Sequence, residues 1–176
     1  KKIKFWKSNG LDINLIIYWI FENDGSYFIE FNICKDLEAL LEYEKKYYIV
    51  NTNSRFTQDF DLEAFLSEKK VAIQGDIKNR IKTFKRGDII FLYQNEQGIV
   101  ARGEVKDNQF HKKDWNGVKE DEYYMELTDF KKLVSKDYLT KKMLDEIFKK
   151  NFVFTPTIVY LNENEGKDID DNIKNL

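Results

Sequence analysis

The stretch from Lys85 to Val105 constrains this chain more than any other. A Gly87-Asp88 turn feeds the apolar run Ile89-Ile90-Phe91-Leu92-Tyr93, a polar break at Asn95-Glu96-Gln97 follows, and Gly98-Ile99-Val100-Ala101-Arg102-Gly103-Glu104-Val105 returns. Two short apolar runs joined by a tight polar break form an antiparallel hairpin, and runs without polar alternation are buried on both faces. The fold must therefore supply a layer of structure on each side of this hairpin. Ala101 and Gly103 add a second constraint, because small residues in a strand let another backbone, or a bulge that curves the sheet, come close.

The rest of the chain alternates elements around this centre. Asn14 to Glu22 and Ser26 to Ile33 flank Asn23-Asp24-Gly25, a hairpin signal, and Leu37, Leu40 and Leu41 follow at helical spacing up to about Lys45. Tyr47 to Asn51 reads as a strand that opens into Thr52-Asn53-Ser54-Arg55, Asp61 to Ser67 as a helical turn, and Val71 to Gly75 as a strand. Ile77 to Phe84 reads as an amphipathic helix. After the hairpin, Asp107 to Lys119 is expected to be a polar loop centred on Trp115, followed by a strand at Tyr123 to Leu127. A helix is expected within Ser135 to Lys149, a strand at Thr157 to Leu161 that closes the sheet, and a helical or frayed acidic tail from Asn162. This divides the chain into an extension, residues 1–45, and a domain, residues 46–176. The start at Lys1, without an initiator Met, suggests a piece cut from something longer.

Composition excludes several chemistries. With 176 residues, 42% hydrophobic and 15% aromatic, the chain can bury a sizeable core. Cys34 and His111 are its only cysteine and histidine, so neither a disulfide framework nor a structural zinc site of the usual kind can be assembled. A serine-histidine-aspartate triad would depend on His111, which has no nucleophile elbow near it. The run Leu15 to Phe21 is too short for a membrane span and follows no signal peptide, so the chain reads as cytoplasmic, with no membrane partner.

Charge is unevenly distributed behind a net −2. Between Lys69 and Arg86 stand seven basic residues (Lys69, Lys70, Lys78, Arg80, Lys82, Lys85, Arg86) against one acid, Asp76. A patch of this kind can hold phosphates within a mildly acidic protein, because salt screens charges beyond a Debye length of about 8 Å.

The central hairpin, with its Gly-Asp-Ile-Ile-Phe-Leu-Tyr-Gln and Gly-Ile-Val-Ala-Arg-Gly-Glu-Val strands, resembles that of the PUA-like superfamily, especially its EVE and YTH-like members. The resemblance covers about residues 47 to 161. It implies an α+β fold, a small PUA-like β-barrel with flanking helices, carrying the N-terminal hairpin and helix as an extension. It also implies a module that reads a modified or flipped-out base and needs no cofactor and no metal. In that group polar residues after the first strand bond a base edge, which maps onto Asn51, Thr52, Asn53 and Ser54, and aromatics sandwich the ring, which maps one wall onto Trp115. Where a tryptophan often follows the second strand, this chain has Gln74-Gly75. Tyr93, Tyr123 or Tyr124 could supply the missing wall, or Gln74 could bond the base instead. Arg55, Lys78, Arg80, Lys82, Lys85 and Arg86 would contact phosphates. The resemblance points further to the specificity domain of a modification-dependent restriction system of the McrB type, reading methylated double-stranded DNA beside a motor and a nuclease supplied elsewhere. An RNA-binding reader of the same group is an alternative.

A different class of function is also written in the hairpin. Asp88 followed by Glu104-Val105-Lys106 imitates the carboxylate pair and lysine of magnesium-dependent nucleases. If the hairpin folds about Glu96, residues 88 and 104 are expected directly opposite one another on one face. A pure protein-interaction domain is a third reading, which predicts neither a basic groove nor a base pocket.

Overall fold

The computed structural model describes residues 4–6, 15–23, 26–34, 44–52, 60–152 and 157–176. The chain divides into two units, Lys1–Glu44 and Lys45–Leu176. In the first, β1 (Lys4–Trp6), β2 (Leu15–Asn23) and β3 (Ser26–Cys34) form an antiparallel sheet in that order, with Asn23 opposite Ser26. The helix expected after Asp36 falls outside the described residues.

The second unit is built on β4 (Tyr47–Asn51), α1 (Phe60–Glu68), β5 (Lys70–Gln74), β6 (Ile89–Gln94), β7 (Gly98–Val105), β8 (His111–Trp115), β9 (Val118–Lys132), α2 (Lys141–Phe148), β10 (Ile158–Leu161) and α3 (Glu163–Lys174). Its sheet has seven strands in the order β10-β4-β6-β7-β9-β5, with β8 pairing β9. The parallel β4–β6 pair needs a long crossover, and residues 52–88 supply it with α1, β5 and a 3-10 helix. The expected strands, central hairpin and C-terminal helix are present. A closed barrel is not: the sheet is open, ending at β10 and β5, and no ladder among the described residues joins those ends.

What curves the sheet is a pair of irregularities at its centre. One bulge lies between Leu92 and Tyr93, and a second lies between Arg102 and Glu104. Gly103 sits in that second bulge, where a Cβ would come within 2.9 Å of the Leu127 side chain. The small residue is there because β9 crosses too closely for any larger one.

Curvature and burial then explain the unbroken apolar runs. Tyr48, Val50, Ile90 and Leu92 pack with Val71, Ile73 and Met125, and with Phe65 and Leu66 of α1, in one core. The alternate residues Tyr47, Ile49, Ile89, Phe91 and Tyr93 face the opposite way, onto Leu144 and Phe148 of α2 and Ile169 and Ile173 of α3. Two-residue periodicity thus sends one strand into two cores. The acidic tail is a full helix, started by a capping box between Asn162 and Glu165, and Gly166 lets it lie on the Tyr47 ring. Arg102 and Asp170 are buried where α3 meets the sheet, 2.8 Å apart.

Candidate nucleic-acid interface

The basic stretch folds as a 3-10 helix, Gly75–Thr83. With three residues per turn, Lys78, Ile81 and Phe84 share one face, and Ile81 and Phe84 are buried on it. Ile77 falls off that face and is 41% exposed, which an α-helical period would not place outside. Arg80 and Lys82, followed by Lys85 and Arg86, project into solvent, and none of the four has an acidic partner among the described residues.

The other basic residues of the stretch have other tasks. Lys70 is 1% exposed and ion-paired to Glu122 at 2.6 Å and Glu68 at 2.9 Å, with its ammonium 4.9 Å over the Tyr124 ring. The hydrogen bond from Lys70 holds the Glu68 carboxyl below its usual range. Lys78 bonds Asp121 at 2.9 Å, which raises its ammonium above the ordinary value.

Next to the 3-10 helix lies an aromatic surface. Trp115 does not sit in a loop. It ends β8, and Asn116 (φ 49°) and Gly117 (φ 77°) form the two-residue turn into β9, with Trp115 paired to Val118. Asn-Gly with both φ angles positive is the type I′ turn that matches the twist of a hairpin, and this sequence signal foretells β8. Trp115 itself is half-buried. Along the same ladder Tyr123 opposes Ile73 on β5 and Lys112 on β8. Its ring stacks on Phe110, centroids 5.2 Å apart at 29°. The ammonium groups of Lys78 and Lys112 each lie 5.5 Å over Tyr123, and that of Lys82 lies 5.1 Å over Phe110. Phe110 has no distinguishing mark in the sequence, and only the stack reveals it. His111 stacks on Tyr124, centroids 5.2 Å apart.

The residues expected around a base fall into two groups. On β4 and β6, Asn51 pairs Tyr93, and the Thr52 hydroxyl lies 3.0 Å from the Tyr93 carbonyl oxygen and 2.9 Å from Gln94 Oε1. Thr52 and Tyr93 are buried, Tyr93 within the core under α2, where burial raises its phenol above the ordinary value with Asp145 adding to it. On β5 and β9, Gln74 opposes Glu122 and Ile73 opposes Tyr123, so Gln74 and Tyr123 lie on opposite faces of the sheet, while Trp115 pairs Val118 at the end of β8. Asn53, Ser54 and Arg55 lie outside the described residues.

The nuclease arrangement is overturned by the register. Ile89, not Asp88, opposes Glu104, and the Asp88 carbonyl accepts from the Val105 N–H, so the two carboxylates lie on opposite faces of the hairpin. Asp88 is fully buried and accepts from the backbone N–H groups of Lys46 at 3.0 Å and Lys85 at 2.8 Å. Glu104 pairs Lys45 and Lys106 pairs Glu126. Among the described residues no three histidine, cysteine, aspartate or glutamate side chains converge as a metal site would need, and no helix is long and apolar enough to cross a membrane.

No family model matches the chain, and no curated protein matches it. Solved structures do. The crystal structure of the Mmi1 YTH domain complexed with RNA superposes with a TM-score of 0.50 at 9% identity, covering 74% of this chain and 79% of that one. A second crystal structure, of the Mmi1 YTH domain, superposes equally, TM-score 0.50 at 10% identity, over 74% of this chain and 96% of that one. The fold is therefore YTH-like, an open α+β sheet with flanking helices.

Proposed function

We propose that this domain of YTH-like fold is a nucleic-acid reader, which grips phosphates with Arg80, Lys82, Lys85 and Arg86 and stacks one base on an aromatic face, with Phe110, Tyr123 and Trp115 as the stacking residues. One observation carries the reading: Lys82 belongs to both parts, standing in the exposed cationic row with its ammonium 5.1 Å over the Phe110 ring. Phosphate contacts give affinity without sequence information, and an aromatic face gives stacking worth about 1–3 kcal/mol per base. In its finer form the base is a methylated one, extruded from a DNA duplex, and the domain is the specificity module of a modification-dependent restriction system whose motor and nuclease are supplied elsewhere. RNA is the second reading, favoured by the RNA that the Mmi1 neighbour is complexed with.

A panel of matched DNA duplexes and RNA strands, each with N6-methyladenine, 5-methylcytosine, 5-hydroxymethylcytosine or no mark, tests it. Burying one methyl group contributes about 0.8 kcal/mol, so preference for a mark is several-fold from area alone, and larger where the unmarked base strands a polar group. Trp115→Ala should lower affinity for the preferred ligand by about one to two orders of magnitude through lost stacking and leave salt-sensitive binding in place. An unchanged ratio of marked to unmarked binding in Trp115→Ala removes that residue from the site.

A further inference from the structure

The first unit carries a strand edge that nothing in its own sequence protects. In the sheet β1-β2-β3, β3 pairs β2 along its whole length, from Ser26 to Cys34, in unbroken register, and takes no second partner among the described residues. An open edge is a row of unmade backbone hydrogen bonds, and folds blunt such edges with short strands, bulges, lysines or proline. β3 has none of these: its nine residues, Ser-Tyr-Phe-Ile-Glu-Phe-Asn-Ile-Cys, hold one charge, Glu30. The other edge strands are short or charged. β1 has three residues and begins at Lys4, β10 has four, β5 begins at Lys70, and β8 carries Lys112, Lys113 and Asp114. Alternation along the ladder fixes which groups of β3 face outward. Two residues separate Asn23 from Ser26, so that closing pair exchanges both of its hydrogen bonds, as do Phe21 with Phe28 and Trp19 with Glu30. The N–H and C=O groups of Tyr27, Ile29, Phe31 and Ile33 point to the open edge.

We infer that a second copy of the chain occupies this edge, its β3 laid antiparallel on the first so that the two three-stranded sheets become one. The occupant must offer a long strand of low charge, and among the described strands with an open edge only β3 is one. Self-pairing about a twofold axis closes, whereas β3 on the three-residue β1 of the next copy would leave most of the edge bare and propagate without end. An axis through Glu30 would set like charges opposite each other, so it passes through Ile29 or Phe31, where Glu30 meets Phe28 or Asn32 of the partner subunit. Doubling also brings the sheet to the usual strand number of stable sheets.

Light scattering on the full chain over a range of concentrations tests the association, and amide hydrogen exchange reads the edge. The mass should be that of two chains and fall to that of one on dilution. Protection at Tyr27, Ile29, Phe31 and Ile33 should fade with it, while Phe28, Glu30 and Asn32 stay protected. Ile29→Pro removes an outward N–H that β2 does not use, and should weaken association roughly ten- to hundredfold with the β2–β3 amides still protected. Phe28→Pro removes a bond within the sheet and should open the hairpin itself. If Ile29→Pro does not fold, the dilution series with exchange still decides. A single chain at every concentration, a mass that climbs past two chains, a dimer that Ile29→Pro leaves intact, or exchange at the four outward amides that dilution does not change overturns the inference. The nucleic-acid reading stands or falls separately, on the oligonucleotide panel.

Discussion

Salt dependence separates the charges this fold presents from the charges its sequence contains. Seven basic residues stand between Lys69 and Arg86, and if all met phosphates on a duplex the slope of log affinity against log salt would be about −6. The structure removes three of them: Lys70 is buried on Glu122, Lys78 is paired with Asp121, and Lys69 lies at the other end of β5 from the 3-10 helix. Four exposed cations remain, which gives a slope of about −3.6 on duplex DNA and about −2.8 on a single strand. Raising salt from about 50 to 200 mM should then weaken duplex binding by roughly 150-fold and single-strand binding by roughly 50-fold. Replacing Lys82 and Lys85 together with Ala should reduce the duplex slope to about −1.8, and the same salt step should then cost only about 12-fold. Fluorescence anisotropy titrations at four or five salt concentrations, with wild type and the double variant, measure both slopes. A slope near −6, or one that the double substitution does not change, refutes the reasoning.

Other expectations concern stability. Asp170 is buried, which raises its carboxyl, but hydrogen bonds from Arg102 and Lys174 outweigh that and hold it below its ordinary 3.8. A depressed carboxyl stabilises the fold above its unfolded pKa, and that contribution is lost as pH falls from about 4 through the lower folded value. Asp170→Asn should therefore cost about 3 kcal/mol in urea unfolding at pH 7, the lower end for a broken buried pair because Arg102 keeps Asp129, and should flatten the loss of stability below pH 4. A cost under about 1 kcal/mol would place the Arg102–Asp170 pair outside the packed region. Asp88→Ala, which strands the backbone N–H groups of Lys46 and Lys85, should cost about 2–4 kcal/mol, whereas Glu104→Ala should stay within about 0.5 kcal/mol. Neither wild type nor these variants should cut nucleic acid in magnesium, and cleavage abolished by both substitutions would restore the nuclease.

Much of the fold is local in origin and was legible. The hairpin at 89–105 announces itself through two apolar runs and a polar break, and Gly103 marks the bulge that curves the sheet. The β8–β9 hairpin was missed: Asn116-Gly117 is a hairpin signal, but the charged residues around Trp115 made the segment read as a polar loop, because β8 is exposed on most positions. What could not be read depends on distant partners. Lys70 looks like surface charge until Glu122, which lies 52 residues away, takes it into the interior. Thr52 looks like a base reader until Tyr93 and Gln94 claim its hydroxyl. The separation of Asp88 from Glu104 turned on a single step of register, which reverses the face of every side chain. Phe110 gave no local signal at all, since a lone phenylalanine in a polar run acquires meaning only from Tyr123 and Lys82.

Amide chemical shifts of the isotope-labelled chain, followed as the preferred oligonucleotide is added, test the central claim most directly. Binding on the proposed face should move the signals of residues 77–86 and 109–124, with those of β10 and α3 left in place. Shifts concentrated on β10 and α3, or no shifts with any oligonucleotide of the panel, would contradict it.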